Sequence, residues 1–220
     1  MAFPLTHLLV ANELLRRTPL SSADAAQFLL GSLAPDAVHY RKDIPADMGG
    51  IGPMKKVSHL CPVSEEPWGK VTANDEWIAS IKEYSKNNKT PIGEGYAVHC
   101  LTDLCNNITL WSDFRKRYPL ECAKGYNSGY YQDLNNIDVR LFLDLGQQFV
   151  EIFGLLEKAK ACDMPGLVSA EEMDAIRKNI LYVQYKAPLA TPSHEYAYVT
   201  YDQTLDFIQD AANLVQEVLK

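Results

Sequence analysis

Residues 95–107 constrain the fold more than any other stretch, because they have the composition of a protein interior and yet carry two polar side chains that need partners. The apolar residues there leave little room for a polar face: Ala97, Val98, Cys100, Leu101 and Leu104. On a helix, His99 and Asp103 would project from the same side, one turn apart. Burying a histidine and a carboxylate is costly unless each has a partner. The two side chains therefore either pair with each other or share a metal ion.

The length and charge of the chain limit the classes of protein to which it can belong. A length of 220 residues suffices for one substantial core, so we predict a single domain over residues 1–220. Hydrophobic residues make up 47% of the chain, an ordinary value for a globular protein. The net charge of −7 excludes a broadly basic surface, and we therefore expect no nucleic-acid partner.

The sequence predicts a cytoplasmic protein without a transmembrane segment. Its longest apolar runs fall far short of the about 20 residues that a membrane helix needs. The N-terminal residues lack the basic region of a signal peptide. The five cysteines are odd in number and form no C-x-x-C pair, which favours reduced thiols.

Apolar spacing near 3.6 residues predicts helices along most of the chain. The predicted helices cover residues 6–17, 25–33, 74–85, 93–110, the stretch from 133 or 135 to 161, 169–181, and the region from 200 onward. Ser169-x-x-Glu172 and Thr200-x-x-Gln203 form capping boxes that open the last two. Residues 40–57 read as an irregular connection, and 111–126 give no clear pattern. Because no stretch reads as a strand, the predicted fold class is all-α, a single-domain multi-helix bundle.

Histidines and carboxylates concentrate in the first half of the chain, each on or beside an apolar segment. The set consists of His7, Asp36, His39, His59, His99 and Asp103. Zinc prefers imidazole nitrogen and carboxylate oxygen, and a catalytic zinc keeps one position open for water. A carboxylate can also bridge two ions about 3.5–4 Å apart in phosphoester chemistry. The residues by themselves leave two interpretations open: a metal cluster, or a core pair in which His99 donates a hydrogen bond to Asp103.

Four short segments, in order along the chain, carry a resemblance to a known family. They are Thr6-His7, Gly31-Ser32-Leu33-Ala34-Pro35-Asp36, Ser58-His59 and Tyr96-x-x-His99-x-x-Thr102-Asp103. Together they resemble the zinc-dependent phospholipase C family, whose all-helical bundle is related to that of the single-strand-specific zinc nucleases. The resemblance covers mainly residues 3–107.

The resemblance implies a set of metal ligands and a reaction. His59, His99 and Asp103 would hold one zinc ion, while His7 and Asp103 would help to hold a second, with Asp103 as the bridge. Asp36 would be a ligand or the base that orients the attacking water. The implied reaction is hydrolysis of a phosphate ester, in which a metal-bound hydroxide attacks phosphorus. The expected cofactor is Zn²⁺, as one or two ions, although such ligand sets also accept iron, manganese or nickel.

The chain departs from the secreted phospholipases at two groups of ligands. Their N-terminal tryptophan has no counterpart at Met1 and Ala2, and no histidine lies between His99 and His194 to hold a third zinc. We therefore expect at most two metal ions. The expected substrate is a small soluble phosphoester or a phospholipid headgroup, and the residues do not indicate an oligomeric state.

A second group of residues is connected to the site less directly. His39 follows Asp36 closely enough to support it or to contact substrate. Tyr130, Asp133 and Asp138 lie near the start of the long predicted helix. They either belong to the cap or the solvated face of that helix, or they face the site and contact ligands or substrate.

Two other functions fit the same residues. One is a helical binding or scaffold protein that keeps a structural or degenerate metal site. The other is a metal phosphohydrolase of the histidine–aspartate type, although that class shows an adjacent His-Asp pair, which this sequence lacks.

Overall fold

A computed structural model describes residues 3–44, 51–62, 66, 70–186, 189, 191–193 and 195–220. Within these ranges the regular structure is helical, apart from one isolated bridge between Met164 and Val168. The predicted all-α fold class is therefore confirmed.

None of the helices in the described ranges has the length and hydropathy that a bilayer crossing requires. Met1, Ala2 and His194, at which the chain departs from the secreted phospholipases, lie outside the described residues.

Eleven α-helices follow one another in the described part of the chain. They are α1 (Pro4–Arg17), α2 (Ser22–Gly31), α3 (Ile51–Ser58), α4 (Asn74–Asn87), α5 (Pro91–Ile108), α6 (Leu110–Arg117), α7 (Pro119–Cys122), α8 (Gly129–Asp144), α9 (Gly146–Leu156), α10 (Ala170–Asn179) and α11 (Tyr201–Leu219). Two 3-10 helices span Ala34–Tyr40 and Gly125–Asn127, and a π-helix spans Ile180–Gln184.

The first two helices begin and end close to the predicted residues. Pro4 lies in the first turn of α1, where the missing N–H has no helical partner to lose. Ser21 caps α2, because its hydroxyl accepts a hydrogen bond from the Asp24 N–H at 3.2 Å. The helices predicted over residues 6–17 and 25–33 are confirmed.

Helix α5 lies at the centre of the bundle and contacts α1, α2, α4, α6 and α11. The Thr90 hydroxyl caps it by accepting a hydrogen bond from the Gly93 N–H. Every residue from 95 to 107 is buried, as the apolar composition of that stretch predicts. Its polar side chains are therefore held inside the core.

Helices α2 and α5 cross so closely that the crossing requires two glycines. A Cβ atom on Gly31 would lie 2.2 Å from the carbonyl oxygen of Ile92. One on Gly95 would lie 2.0 Å from the carbonyl oxygen of Phe28. Both obstacles are backbone atoms inside helices, so neither can move aside as the end of a side chain can. The crossing fixes the distance between α5 and the end of α2.

Gly95→Ala is expected to lower the free energy of unfolding by about 3 kcal/mol or more, because overpacking costs about 1–3 kcal/mol even where side chains can adjust. Gly154→Ala in α9 is the matched control, since nothing lies within 4 Å of the added methyl group. Alanine is favoured over glycine in a helix by about 1 kcal/mol, so the control should gain stability. Urea denaturation measures both changes, and equal stability of the two variants would contradict the close crossing.

The prediction of an irregular connection over residues 40–57 is wrong in its second half. Helix α3 forms over Ile51–Ser58, with a glycine and a proline in its first turn. Proline is tolerated there because the first turn has no intrahelical N–H bonds to lose. The helix has a buried face that includes Lys55. Residues 45–50 of the predicted connection lie outside the described ranges.

The single long helix predicted from 133 or 135 to 161 is wrong, because two helices occupy this stretch. Helix α8 begins earlier, at Gly129, and α9 begins at Gly146. Leu145 separates them with φ −106° and ψ 25°, outside the helical region. The adjacent Gly146 has low helix propensity, which favours a break at this position. The apolar periodicity continues across the break, and for this reason it predicts one helix.

Residues 111–126, which give no clear pattern in the sequence, contain most of α6 and all of α7, and the aromatic residues of α6 pack against the start of α8. Trp111 and Phe114 of α6 lie 5.2 Å and 4.7 Å from Tyr130 between ring centroids. Such aromatic pairs contribute stability through large buried areas. The cluster joins α6 to the start of α8.

The C-terminal helices start at the predicted capping boxes. Ser169 and Glu172 form reciprocal side-chain to backbone hydrogen bonds at the start of α10, and Thr200 and Gln203 do so at the start of α11. Both predictions are confirmed. Helix α11 then packs against α1 and α5.

Candidate metal site

The structure brings all five predicted ligands together from four separate segments. His7 lies in α1, Asp36 in the 3-10 helix, His59 directly after α3, and His99 and Asp103 on α5. The three histidines are 0% exposed and Asp103 is 2% exposed. Asp36 has 15% of its side chain exposed. The cluster is therefore enclosed by the core and meets solvent on the side of Asp36.

Backbone carbonyl groups fix the tautomers of two histidines. Nδ1 of His99 lies 2.8 Å from the carbonyl oxygen of Ser32, and Nδ1 of His59 lies 2.8 Å from that of Lys55. A carbonyl oxygen can only accept a hydrogen bond, so each Nδ1 carries the proton. Each neutral ring then presents the lone pair of Nε2 to the cluster, as metal-ligating histidines do. This tautomer of His99 leaves no proton on Nε2 to donate to Asp103.

The ligand atoms are spaced as around one ion. Nε2 of His59 lies 3.2 Å from Nε2 of His99, and 3.4 Å from one oxygen of each of Asp36 and Asp103. Ligands about 2.0–2.2 Å from a tetrahedral zinc stand about 3.3–3.6 Å apart. Two lone pairs 3.2 Å apart repel each other unless a cation lies between them. The residues therefore fit a metal ion.

His7 and Asp103 extend the cluster to a second position. The His7 ring stacks on that of His99, with 3.7 Å between centroids and 6° between planes. Neither ring nitrogen of His7 makes a hydrogen bond to any described residue, although Nε2 lies 3.4 Å from Oδ1 of Asp103. Oδ2 of Asp103 lies beside His59 instead. A buried imidazole without a hydrogen bond is costly, and a second ion bridged by Asp103 would remove that cost.

The candidate ligands form two sets, and each has its ligand atoms within 4.8 Å of one another. One set is His7, His99 and Asp103, and the other is Asp36, His59 and His99. The resemblance implied Asp103 as the bridge and placed Asp36 beside the metals. The structure brings Asp36 as close to His59 as Asp103 is, and it includes His99 in both sets.

A strained helix end positions His59. Leu60, the next residue, has φ +56°, a left-handed conformation that costs about 1–2 kcal/mol outside glycine. The Trp77 indole N–H donates a hydrogen bond to the His59 carbonyl at 2.8 Å, and the Tyr96 hydroxyl donates one to the Ser58 carbonyl. These bonds hold the end of α3 against α4 and α5.

The charge states of the cluster suit metal binding. Burial lowers the pKa of both His59 and His99, so both rings are neutral at pH 7. Burial acts to raise the pKa of Asp36, but Lys55 and the neighbouring histidines outweigh it and hold that pKa well below its ordinary value. Burial acts to raise the pKa of Asp103, but the His7 ring nitrogen 3.4 Å away and the other positive groups nearby outweigh it and hold that pKa below its ordinary value. Neutral imidazoles and ionised carboxylates are the protonation states of metal ligands.

Lys55 is a site residue that no motif in the sequence indicates. Its side chain is 1% exposed, and Nζ donates hydrogen bonds to Oδ1 of Asp36 at 2.8 Å and to Nε2 of His39 at 2.9 Å. His39 lies 3.7 Å from Asp36, with 42% of its side chain exposed. Lys55 and His59 are four residues apart, so a helix would place both on one face. The sequence predicts an irregular connection here instead of α3, and Lys55 is therefore missed.

A cleft of about 280 Å³ opens beside the cluster. Asp36, His39 and Lys55 form its polar end, and the rest of its lining is mainly aromatic and aliphatic. Asp36 therefore lies at the boundary between the buried histidines and a space large enough for a small molecule.

Tyr130 and Asp133 are buried rather than solvated, and their hydrogen bonds go to groups other than the five candidate ligands. The Tyr130 hydroxyl donates a hydrogen bond to Asn106 at 3.2 Å. Oδ2 of Asp133 accepts hydrogen bonds from three successive backbone N–H groups, those of residues 197–199, at 2.7–3.2 Å. Asp133 therefore anchors the segment that leads into α11.

Asp138 is likewise buried, and it pairs with Tyr185 rather than with a candidate ligand. The Tyr185 hydroxyl donates a hydrogen bond to Oδ2 of Asp138. Burial raises the pKa of Asp138 to about 7, although Tyr185 and the Leu5 backbone favour the charged form. The group is therefore largely protonated below neutral pH in the folded chain.

Asp138→Asn is expected to reduce the pH dependence of stability. An aspartate whose pKa rises from 3.8 to about 7 on folding stabilises the fold fully below pH 3.8 and loses that contribution as the pH rises to 7. At about 1.4 kcal/mol per pH unit, the wild type should lose about 3 kcal/mol from this group between pH 5 and pH 8. Urea denaturation at both pH values tests this, and an unchanged difference in the asparagine variant would contradict it.

Comparisons with known proteins supply no family assignment: no protein-family model, curated protein or solved structure matches this chain. The interpretation of the site therefore depends on its own geometry and on the motifs within it.

Proposed function

We propose that this chain is a metal-dependent hydrolase of phosphate esters, of the zinc-dependent phospholipase C type that its motifs resemble, with Zn²⁺ as its cofactor. The observation that carries the proposal is the approach of two unprotonated Nε2 atoms, those of His59 and His99, to 3.2 Å. In both rings Nδ1 donates its proton to a backbone carbonyl. The two Nε2 atoms therefore face each other with lone pairs, and a cation between them makes this approach favourable. Nitrogen and carboxylate ligands in a site of this size favour zinc.

The ligand geometry supports one or two ions. In the grouping that the resemblance implies, His59, His99 and Oδ2 of Asp103 would hold the first, and His7 with Oδ1 of Asp103 would hold the second. The geometry also places Asp36 within reach of the first ion, beside His59 and His99. Bound zinc supplies positive charge to phosphate oxygens and makes a nearby water molecule more acidic.

Asp36 is the proposed general base. Lys55 holds Oδ1 at 2.8 Å and keeps the carboxylate ionised, while Oδ2 faces Nε2 of His99 at 4.0 Å. Oδ2 is therefore oriented toward the ligand cluster from the side that meets the cleft. There it would orient the attacking water and accept its proton as the water adds to phosphorus.

Metal analysis of protein purified without a histidine tag tests the proposal. We expect about one or two zinc ions per chain and turnover of at least one ester in a panel of phosphomonoesters, phosphodiesters and phospholipids. Removal of the metal by a chelator should abolish turnover, and zinc should restore it. Less than one metal ion per chain would contradict the site. Bound zinc without turnover of any ester would favour a binding or scaffold protein with a structural metal.

A further inference from the structure

We propose that the cleft beside Asp36 selects the organic part of the phosphate ester, and that it accepts an uncharged aromatic group. This inference rests on the proposed function, because it places the phosphate at the histidine–aspartate cluster. The polar end of the cleft is formed by Asp36, His39 and Lys55. A phosphate held there would direct its organic substituent along the apolar walls.

The size of the cleft limits what this substituent can be. Ligand pockets typically enclose about 300–1,000 Å³, and this cleft, at about 280 Å³, lies just below that range. The space is sufficient for one ring system. It is too small to enclose the two acyl chains of a phospholipid.

One wall of the cleft is aromatic and keeps part of its surface available to a ligand. Phe3, Tyr126 and Tyr131 line it, with 4.9 Å between the centroids of the two tyrosine rings. Tyr131 is 9% exposed, whereas Tyr126 is 60% exposed. An exposed ring beside buried ones can stack on an incoming ring, and aromatic pairs favour such contacts beyond the area that they bury.

The charge of the cleft argues against a cationic substituent. Among the described lining residues the charged ones are Asp36 and Lys55, and these form an ion pair at 2.8 Å. The described lining therefore has no second carboxylate to neutralise a quaternary ammonium group. Lys55 would instead repel such a group from the polar end of the cleft.

Another part of the cleft lining has polar groups that can form hydrogen bonds with substituents on a ring. Asn179, at the end of α10, and Gln184, in the π-helix, belong to this lining. The Asn179 amide donates to Oε1 of Gln184 at 3.0 Å, and the Gln184 amide donates to the Tyr185 hydroxyl at 2.9 Å. These bonds fix the orientation of both amides, so this part of the lining presents defined donors and acceptors.

Binding of three non-hydrolysable probes to the zinc-loaded protein tests the inference. The probes are phenylphosphonate, methylphosphonate and 2-(trimethylammonio)ethylphosphonate, and isothermal titration calorimetry gives each Kd. Phenylphosphonate should bind about tenfold more tightly than the other two, because only its ring stacks in the cleft. Tyr126→Ala should remove most of this preference. Tyr182→Ala should retain it, since Tyr182 is also exposed, at 53%, but does not line the cleft.

Each other outcome has a definite meaning. Equal binding of phenylphosphonate and methylphosphonate, or tightest binding of the cationic probe, would overturn the inference while leaving the proposed hydrolase in place. Loss of the preference in both tyrosine variants would also overturn it, because the ring would then bind outside the cleft. If zinc-loaded protein binds none of the probes and hydrolyses no ester, both the inference and the proposed function are wrong.

Discussion

His99→Ala is expected to release the bound metal and to reduce phosphoester hydrolysis to the background rate. His99 belongs to both candidate ligand sets, so its removal weakens each of them. Loss of even an outer partner of a ligand lowers metal affinity by about 10–100-fold, and loss of a direct ligand should cost more. Metal analysis after dialysis and measurement of kcat/KM, each relative to wild type, test the prediction.

Cys100→Ala is the matched control for His99→Ala. Cys100 is the next residue on α5 and is also 0% exposed, yet it belongs to neither ligand set. The Cys100→Ala variant should therefore keep its metal and its activity, while its free energy of unfolding falls slightly because of the small cavity. Unchanged metal content in His99→Ala, with the fold verified by circular dichroism, would remove His99 from the site.

Asp36→Asn is expected to keep the metal and to lose most of the hydrolysis. Three histidines and Asp103 remain as ligands, but the amide cannot accept a proton from water. General base catalysis contributes about 10²–10⁴-fold, so kcat should fall by about that factor, with little change in zinc content. An asparagine variant with full activity would remove Asp36 from the mechanism.

A second variant separates this chemical effect from a loss of stability. In Asp36→Asn the buried ammonium of Lys55 loses its charge partner at 2.8 Å, which should lower the free energy of unfolding by about 1–3 kcal/mol. The double variant Asp36→Asn/Lys55→Met removes both charges and should recover part of that stability. Its activity should remain as low as that of Asp36→Asn.

The sequence was sufficient to predict which five candidate ligands lie together, because each is a polar residue on or beside an apolar segment and because the motifs that contain them resemble a known family. His99 and Asp103 are the clearest case, since their spacing of four on a buried helix leaves each in need of a partner. The sequence could not indicate which nitrogen of each ring faces the cluster. That choice depends on the Ser32 and Lys55 carbonyls, and their positions follow from helix packing.

The fold was predictable where local hydrogen bonds determine it, and less so where tertiary packing does. The capping boxes at Ser169 and Thr200 fix the starts of two helices through adjacent residues. The end of helix α3 is held by contacts from distant segments, which periodicity does not report. The break at Leu145 lies beside Gly146, and apolar periodicity does not register the low helix propensity of a glycine. The error over α3 had the larger consequence, because it concealed Lys55 and with it the ion pair at the cleft.

The origin of the ligands from four segments has a thermodynamic consequence. In an unfolded chain only His99 and Asp103 are near neighbours, so under the proposed function the unfolded state binds zinc far more weakly than the folded state. Each tenfold rise in free zinc above the Kd then adds about 1.4 kcal/mol to the free energy of unfolding. A cell that withdraws zinc would remove part of the free energy that keeps this chain folded, as well as its activity.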